Sequence, residues 1–215
     1  MLNSLFQKKN ICFICNSSVT SFICSRCSER MVFYQNLRGR CSFKKWDLHF
    51  TAPYHQGYKR LIWDLKFGKN TGLAKGMAYL MLECYLKNID RLPDLVDYVP
   101  MGRIKEKQRG FNQSKILAEE IGKLINRNIG NLTKREDQVS LYRNRKVDRE
   151  VLVKDTMCAK SGDVNKSILI IDDVYTTGAT IRETMRALRV KGFEKVSFLI
   201  FARQEKQENL ENWFS

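Results

Sequence analysis

Two constellations in this chain have residue types at spacings that could do chemistry. The first runs from Ile168 to Ile181. An apolar run, Ile168 to Ile171, ends in two adjacent acids, Asp172 and Asp173. A small-residue turn follows, Thr176-Thr177-Gly178-Ala179-Thr180, and then a helical pattern. Continuous apolar runs mark parallel strands buried on both faces. Open α/β sheets bind ligands beyond the carboxyl ends of such strands. A helix N-terminus offers unpaired N–H groups and the positive end of its dipole to an anion. Gly178 permits close backbone approach, and the Thr hydroxyls can donate to phosphate oxygens. The two carboxylates can hold ribose hydroxyls or a hydrated Mg²⁺. The pattern reads as a sugar-phosphate site. The alternative is an ordinary strand–turn–helix with solvated acids.

The second constellation is Cys12-x2-Cys15 and Cys24-x2-Cys27, with eight residues between the pairs. Each pair can form one knuckle, and two knuckles complete a tetrahedral four-thiolate site. Thiolates select zinc or iron–sulfur, and a closed site of this kind suits structural Zn²⁺. A turn and a short strand are expected between the knuckles, from Asn16 to Ile23. A module of about 35 residues cannot bury enough apolar surface alone, so the ion would supply its folding free energy. Cys41, Cys84 and Cys158 have no such spacing and read as ordinary residues.

Composition frames both sites. The 215 residues suit one α/β domain with a small appendage. Net charge is +15 and the sequence pI is about 9.6, which favours polyanionic partners. Met1 to Asn10 lacks the long apolar core of a secretory signal, and no apolar run approaches the ~20 residues needed to span a membrane. Seven cysteines without a signal argue for a reducing cytoplasm, with any membrane association peripheral and through partners. The sequence sets no oligomeric state.

The elements that must position these residues follow from apolar spacing. A short strand is expected over Phe50 to Tyr54 and helices over Gly57 to Phe67 and Leu73 to Leu86. Leu95 to Val99 reads as a strand. Phe111 to Ile125 reads as a helix, with Ile116, Leu117, Ile121, Leu124 and Ile125 near one face. A helix over Ile181 to Val190 and a strand over Val196 to Ala202 follow, and Gln204 to Ser215 suggests a short terminal helix. Strands alternating with helices predict an α/β fold with a parallel sheet.

The stretch from Ile168 to Ile181 resembles the phosphoribosyl-pyrophosphate (PRPP) motif of type I phosphoribosyltransferases. That resemblance places Asp172 and Asp173 on the ribose and Mg²⁺, and Thr176, Thr177, Gly178, Ala179 and Thr180 on the 5′-phosphate. Three further features extend the likeness: the cysteine knuckles, Lys66-Phe67-Gly68, and the segment Val99-Pro100-Met101-Gly102-Arg103 through Arg109-Gly110-Phe111-Asn112-Gln113. With them, almost the whole chain resembles the ComF family of bacterial competence proteins. The family order implies a zinc ribbon over residues 1–40 and a phosphoribosyltransferase-like domain over 41–215. It also implies a pyrophosphate loop at Pro100, Met101, Gly102 and Arg103. In the family's Arg-Gly-Phe-Asn-Gln signature, Arg109 could bind phosphate, Gly110 permits a sharp turn and Asn112 could cap a helix. One departure concerns the hood segment before the PRPP strand. Gln138, Leu141 and Arg145 fit the family pattern, but Val147 to Glu150 has no matching Asn.

Two classes of function stay open at this level. One is Mg²⁺-dependent transfer of ribose 5-phosphate from PRPP to an unnamed acceptor, resting on orientation and leaving-group stabilisation. His49 and His55 lie far from the motif and read as structural or exposed rather than as its base. The other class is a nucleic-acid-handling factor that retains the fold as a ligand sensor or scaffold. Family resemblance implies support for uptake of transforming DNA, in company with other competence proteins. Basic clusters beside aromatic residues suit single-stranded DNA, and Lys105, Lys107, Arg109, Tyr142, Arg143 and Arg145 are the residues expected to carry it.

Overall fold

The computed structural model describes residues 12, 15, 17–19, 24–27, 40–43, 46–54, 56–68, 72–136 and 156–204. Its sheet is built around the most apolar stretches of the sequence. Strand β6 (Ile168–Tyr175) pairs in parallel with β3 (Leu95–Tyr98) on one side and β7 (Val196–Arg203) on the other. Strand β2 (Trp46–Pro53) pairs in parallel with β7, and β1 (Arg40–Phe43) adds an antiparallel edge. The order is β1-β2-β7-β6-β3.

The side-chain period of two sorts the central strands between two cores. Leu169, Ile171, Leu199 and Phe201 face a cluster built from helices α1 (Gln56–Phe67), α2 (Leu73–Leu86) and α4 (Gln113–Ile125). Ile168, Ile170, Phe198 and Ile200 face a second cluster with helix α5 (Ala179–Val190), Trp46 and Phe50. Met157 and Ala159 join that second cluster from a separate two-stranded sheet, β4 (Thr133–Arg135) with β5 (Met157–Ala159). The result is a parallel sheet flanked by helices, with four cysteines gathered near the N-terminus.

Several elements depart from the sequence reading for physical reasons. Strand β2 starts at Trp46, four residues before the expected Phe50, because Trp46, Leu48 and His49 are all buried. Polar Asp47 and His49 had masked that start. Helix α4 begins at Gln113 rather than Phe111, since the Asn112 side chain accepts hydrogen bonds from the Ser114 and Lys115 N–H groups. Leu124 is not on its buried face but 42% exposed. Helix α3 (Arg103–Arg109) and the pair β4–β5 were not expected. Helix α3 buries none of its residues, so no apolar stripe announced it. Each strand of the pair is only three residues long. The expected strand between the cysteine knuckles falls mostly outside the described residues, as does the expected helix over 204–215.

Candidate functional site around the acid pair

Strand β6 does not stop at its acids. The ladder to β7 continues through Asp172, Val174 and Tyr175, so the pair lies within the strand and is buried. Two carboxylates in a dry sheet need partners. Asp172 Oδ1 accepts from the Ser114 hydroxyl at 2.9 Å and from the Asp173 N–H at 2.9 Å. Asp173 Oδ2 is ion-paired with Lys66 Nζ at the end of α1. Burial, and next the neighbouring Asp173 charge, push the Asp172 carboxyl up to about 7. Ser114, the Asp173 N–H and Lys66 act in the opposite direction.

The segment from Arg109 to Ser114 is the brace of this arrangement. Gly110, at φ 87°, caps α3 in the left-handed conformation that favours glycine. Asn112 caps α4 and its Nδ2 donates to the Val99 carbonyl at 3.1 Å, tying the helix to the loop after β3. Ser114, in the first turn of α4, then reaches Asp172. Arg109 donates from Nη1 to Gln113 Oε1 at 2.6 Å, and its guanidinium lies 5.3 Å from the centre of the Phe67 ring. In this arrangement Arg109 joins α1 to α4.

After β6 the chain turns at Gly178, whose φ is 76° and ψ 0°. A β-carbon there would collide with the Tyr175 ring and hydroxyl, so the position admits glycine on both conformational and steric grounds. Thr176, Thr177 and Thr180 are half-buried, Gly178 and Ala179 are buried, and the turn opens α5. Arg182 Nη1 donates to the Thr177 carbonyl at 3.0 Å, holding a cation against the turn. The acid pair and the Thr-Gly turn are consecutive in one strand–turn–helix, as the sequence suggests.

A cavity of about 700 Å³ adjoins this site through Asn112. Pro100, Met101 and Arg103 line one wall, and Thr133, Lys134, Arg135 and Cys158 of the β4–β5 pair line another. Gly102 is buried and caps α3. Two buried acids that the sequence reading overlooked hold the β4–β5 pair in place. Asp97 accepts from the N–H of Tyr98 at 2.8 Å and of Leu132 at 2.9 Å, and burial pushes its carboxyl up to about 6. Glu183 of α5 accepts from the Met157 N–H at 3.1 Å and is paired with Arg186 at 2.8 Å. An acid in an apolar strand, Asp97 in Leu-Val-Asp-Tyr, was the available signal for the first. Ser114 directly follows the Arg109 to Gln113 signature and Lys66 opens the Lys66-Phe67-Gly68 segment, but nothing in the sequence tied either residue to the acid pair.

Lys105 and Lys107 are exposed on α3 and Arg109 is half-buried beside them. Tyr142, Arg143 and Arg145, and the departure at Val147 to Glu150, lie outside the described residues. His49 is buried in β2 with its ring edge-on to Tyr85 at 4.9 Å, as a structural histidine would be.

The sulfurs of Cys12, Cys15, Cys24 and Cys27 all lie within 4.8 Å of one another, close enough to hold one metal ion. The Cys12 N–H donates to the Ser17 carbonyl at 2.7 Å, closing the first knuckle. Cys12 and Cys27 pack into the core beside α1, and the Tyr58 hydroxyl donates to the Cys27 carbonyl at 3.2 Å. The cluster is therefore docked on the sheet domain. Among the described residues no helix is long and apolar enough to cross a membrane.

Comparison with known proteins agrees with this architecture. A family model described as "Phosphoribosyl transferase domain" matches residues 118–214, which include the acid pair and the Thr-Gly turn. Competence protein F of Haemophilus influenzae is 24% identical over 214 residues, covering 94% of this chain and 93% of that protein. Competence protein ComFC of Streptococcus pneumoniae is 32% identical over 151 residues, 70% of this chain and 65% of that one. DNA utilization protein YhgH of Escherichia coli K12 is 25% identical over 211 residues, 90% of each.

Proposed function

The chain belongs to the ComF family, and from that premise we propose that it supports the internalisation of transforming DNA and binds PRPP at the acid-pair site. Its similarity to Competence protein F and Competence protein ComFC supports the first part. The observation that carries the second is the buried pair Asp172 and Asp173 set one turn before the N-terminus of α5. Carboxylates spaced in this way suit ribose hydroxyls, and the turn from Thr176 to Thr180 suits the 5′-phosphate. Pro100, Met101 and Arg103 border the cavity that would receive the diphosphate, with buried Gly102 between them and Lys134 and Arg135 across it.

Mg²⁺ would arrive with the diphosphate rather than on the acids. Asp172 Oδ1 already accepts two hydrogen bonds and Asp173 faces Lys66, which favours hydroxyl or water contacts over direct ligation. Structural Zn²⁺ is the ion proposed for the cysteines. Tetrahedral Zn–S bonds of about 2.3 Å set sulfurs about 3.8 Å apart, and Cys15 and Cys24 stand at 3.6 Å. The exposed Lys105 and Lys107, on a chain of net charge +15, support binding of single-stranded DNA. The unit over 1–40 is proposed as the zinc module and 41–215 as the phosphoribosyltransferase-like domain.

The second reading is turnover, with ribose 5-phosphate passed to an acceptor. Arg103, Lys134 and Arg135 around the cavity favour it, since cations there would stabilise a departing diphosphate. Pyrophosphate release from PRPP, measured with Mg²⁺ and with or without single-stranded DNA, tests both readings. Release that exceeds spontaneous hydrolysis establishes an enzyme. Saturable PRPP binding without release leaves a ligand-binding factor, and no binding refutes the PRPP assignment.

A further inference from the structure

Helix α1 has one face in the core and one in solvent, and the solvent face is the unusual one. Tyr58, Leu61, Ile62 and Leu65 are buried beneath it. Trp63 and Phe67, one turn apart on the outside, are each 57% exposed. Amphipathic helices ordinarily keep large aromatic groups on the buried side. The two rings stand 5.5 Å apart between centres and are tilted by 47°. Cations flank them along the same face. Lys59 and Arg60 are exposed one turn before Trp63; Lys59 Nζ lies 5.9 Å from the centre of the Tyr54 ring, and Arg60 is paired with Asp64 at 3.6 Å. At the other end the Arg109 guanidinium lies 5.3 Å from the Phe67 centre, fixed there by its hydrogen bond to Gln113.

We propose that Trp63 and Phe67 form a base-stacking platform for single-stranded nucleic acid, with Lys59 and Arg109 facing its phosphates. The proposal rests on the DNA-handling reading above and gives it a location. Exposed aromatic rings accept any base, because every base has a π-face. Cations on both sides of the rings match a backbone that carries one charge per nucleotide. A lipid surface or an apolar protein segment would favour a continuous apolar stripe, whereas here basic groups bracket just two rings. The platform also touches the acid-pair site. Lys66, between the two rings in sequence, is paired with Asp173, and Arg109 opens the brace that holds Asp172. A strand lying on α1 therefore runs beside the proposed PRPP site.

Fluorescence anisotropy with a labelled oligothymidylate at low salt tests this in the full chain. Trp63→Ala and Phe67→Ala should each weaken binding about tenfold, and the double variant more, with the salt slope unchanged because stacking releases no counterion. Trp63→Phe should retain most of the affinity. Tyr79→Ala, which removes an aromatic 40% exposed on α2, should change nothing. Melting curves confirm that each variant is folded. Wild-type affinity in a folded double variant overturns the platform while leaving the DNA reading intact. No binding by the wild-type chain overturns both. Loss of binding to anionic vesicles with oligothymidylate affinity unchanged shows that the face serves a membrane, and also overturns the proposal.

Discussion

Replacing Lys66 by Met isolates the electrostatics of the acid pair. Lys66 and Asp173 are only 22% and 12% exposed at their side chains, so their ion pair is largely buried. Removing one partner of a buried pair leaves an uncompensated charge and costs about 3–5 kcal/mol. The residual solvent contact places this site at the lower end, about 3 kcal/mol. In a domain of this size about 1 kcal/mol lowers Tm by ~2–4 °C, so Lys66→Met should melt roughly 6–12 °C below wild type at pH 8. The deficit should depend on pH. Lys66 is one of the groups that oppose the upward push on Asp172, which stands at about 7. An acid whose folded value is raised takes up its proton more readily in the folded state, so its contribution to stability is lost as pH rises. Acidification to pH 5 neutralises Asp172, relieves its repulsion with Asp173, and should shrink the deficit. Adding Asp173→Asn to Lys66→Met should recover most of the loss at pH 8, which a double-mutant cycle by calorimetry would quantify. A Lys66→Met protein that melts within about 2 °C of wild type at pH 8 would refute the reasoning. So would a deficit that grows on acidification.

Other parts of the account make separate predictions. Protein purified without added metal should carry one zinc per chain by elemental analysis, and Cys12→Ser or Cys27→Ser should release it and lower Tm, because both residues pack into the main core. Gly178→Ala should abolish PRPP binding in titration calorimetry while costing about 1–3 kcal/mol of stability, since the residue combines positive φ with a clash against Tyr175. Single-stranded DNA affinity should fall with salt at a log–log slope of roughly −0.7 per phosphate contact, and Lys105→Ala with Lys107→Ala should flatten it.

The sequence made the central strands legible because Ile168 to Ile171 and Val196 to Ala202 are unbroken apolar runs. Helix α2 was legible over its full length, Leu73 to Leu86, because its apolar residues keep a helical period. Legibility failed where burial was not written in apolar residues. Strand β6 continues through two acids because its neighbour β7 continues, a fact about pairing between residues far apart in sequence. Helix α3 is held at its ends, by Gly102 and by Gly110, rather than by a core face. The acid pair and the Thr-Gly turn were found because they are contiguous. Their supports, Ser114 and Lys66, come from two other helices, and only folding brings them together.

The central claim is that the buried acid pair holds the ribose of PRPP. Titration calorimetry of PRPP with Mg²⁺ into wild type and into Asp172→Asn with Asp173→Asn tests it most directly, with melting curves to confirm a folded variant. The account predicts saturable binding to the wild-type chain and loss of that binding in the folded double variant. Undiminished affinity in that variant would contradict it.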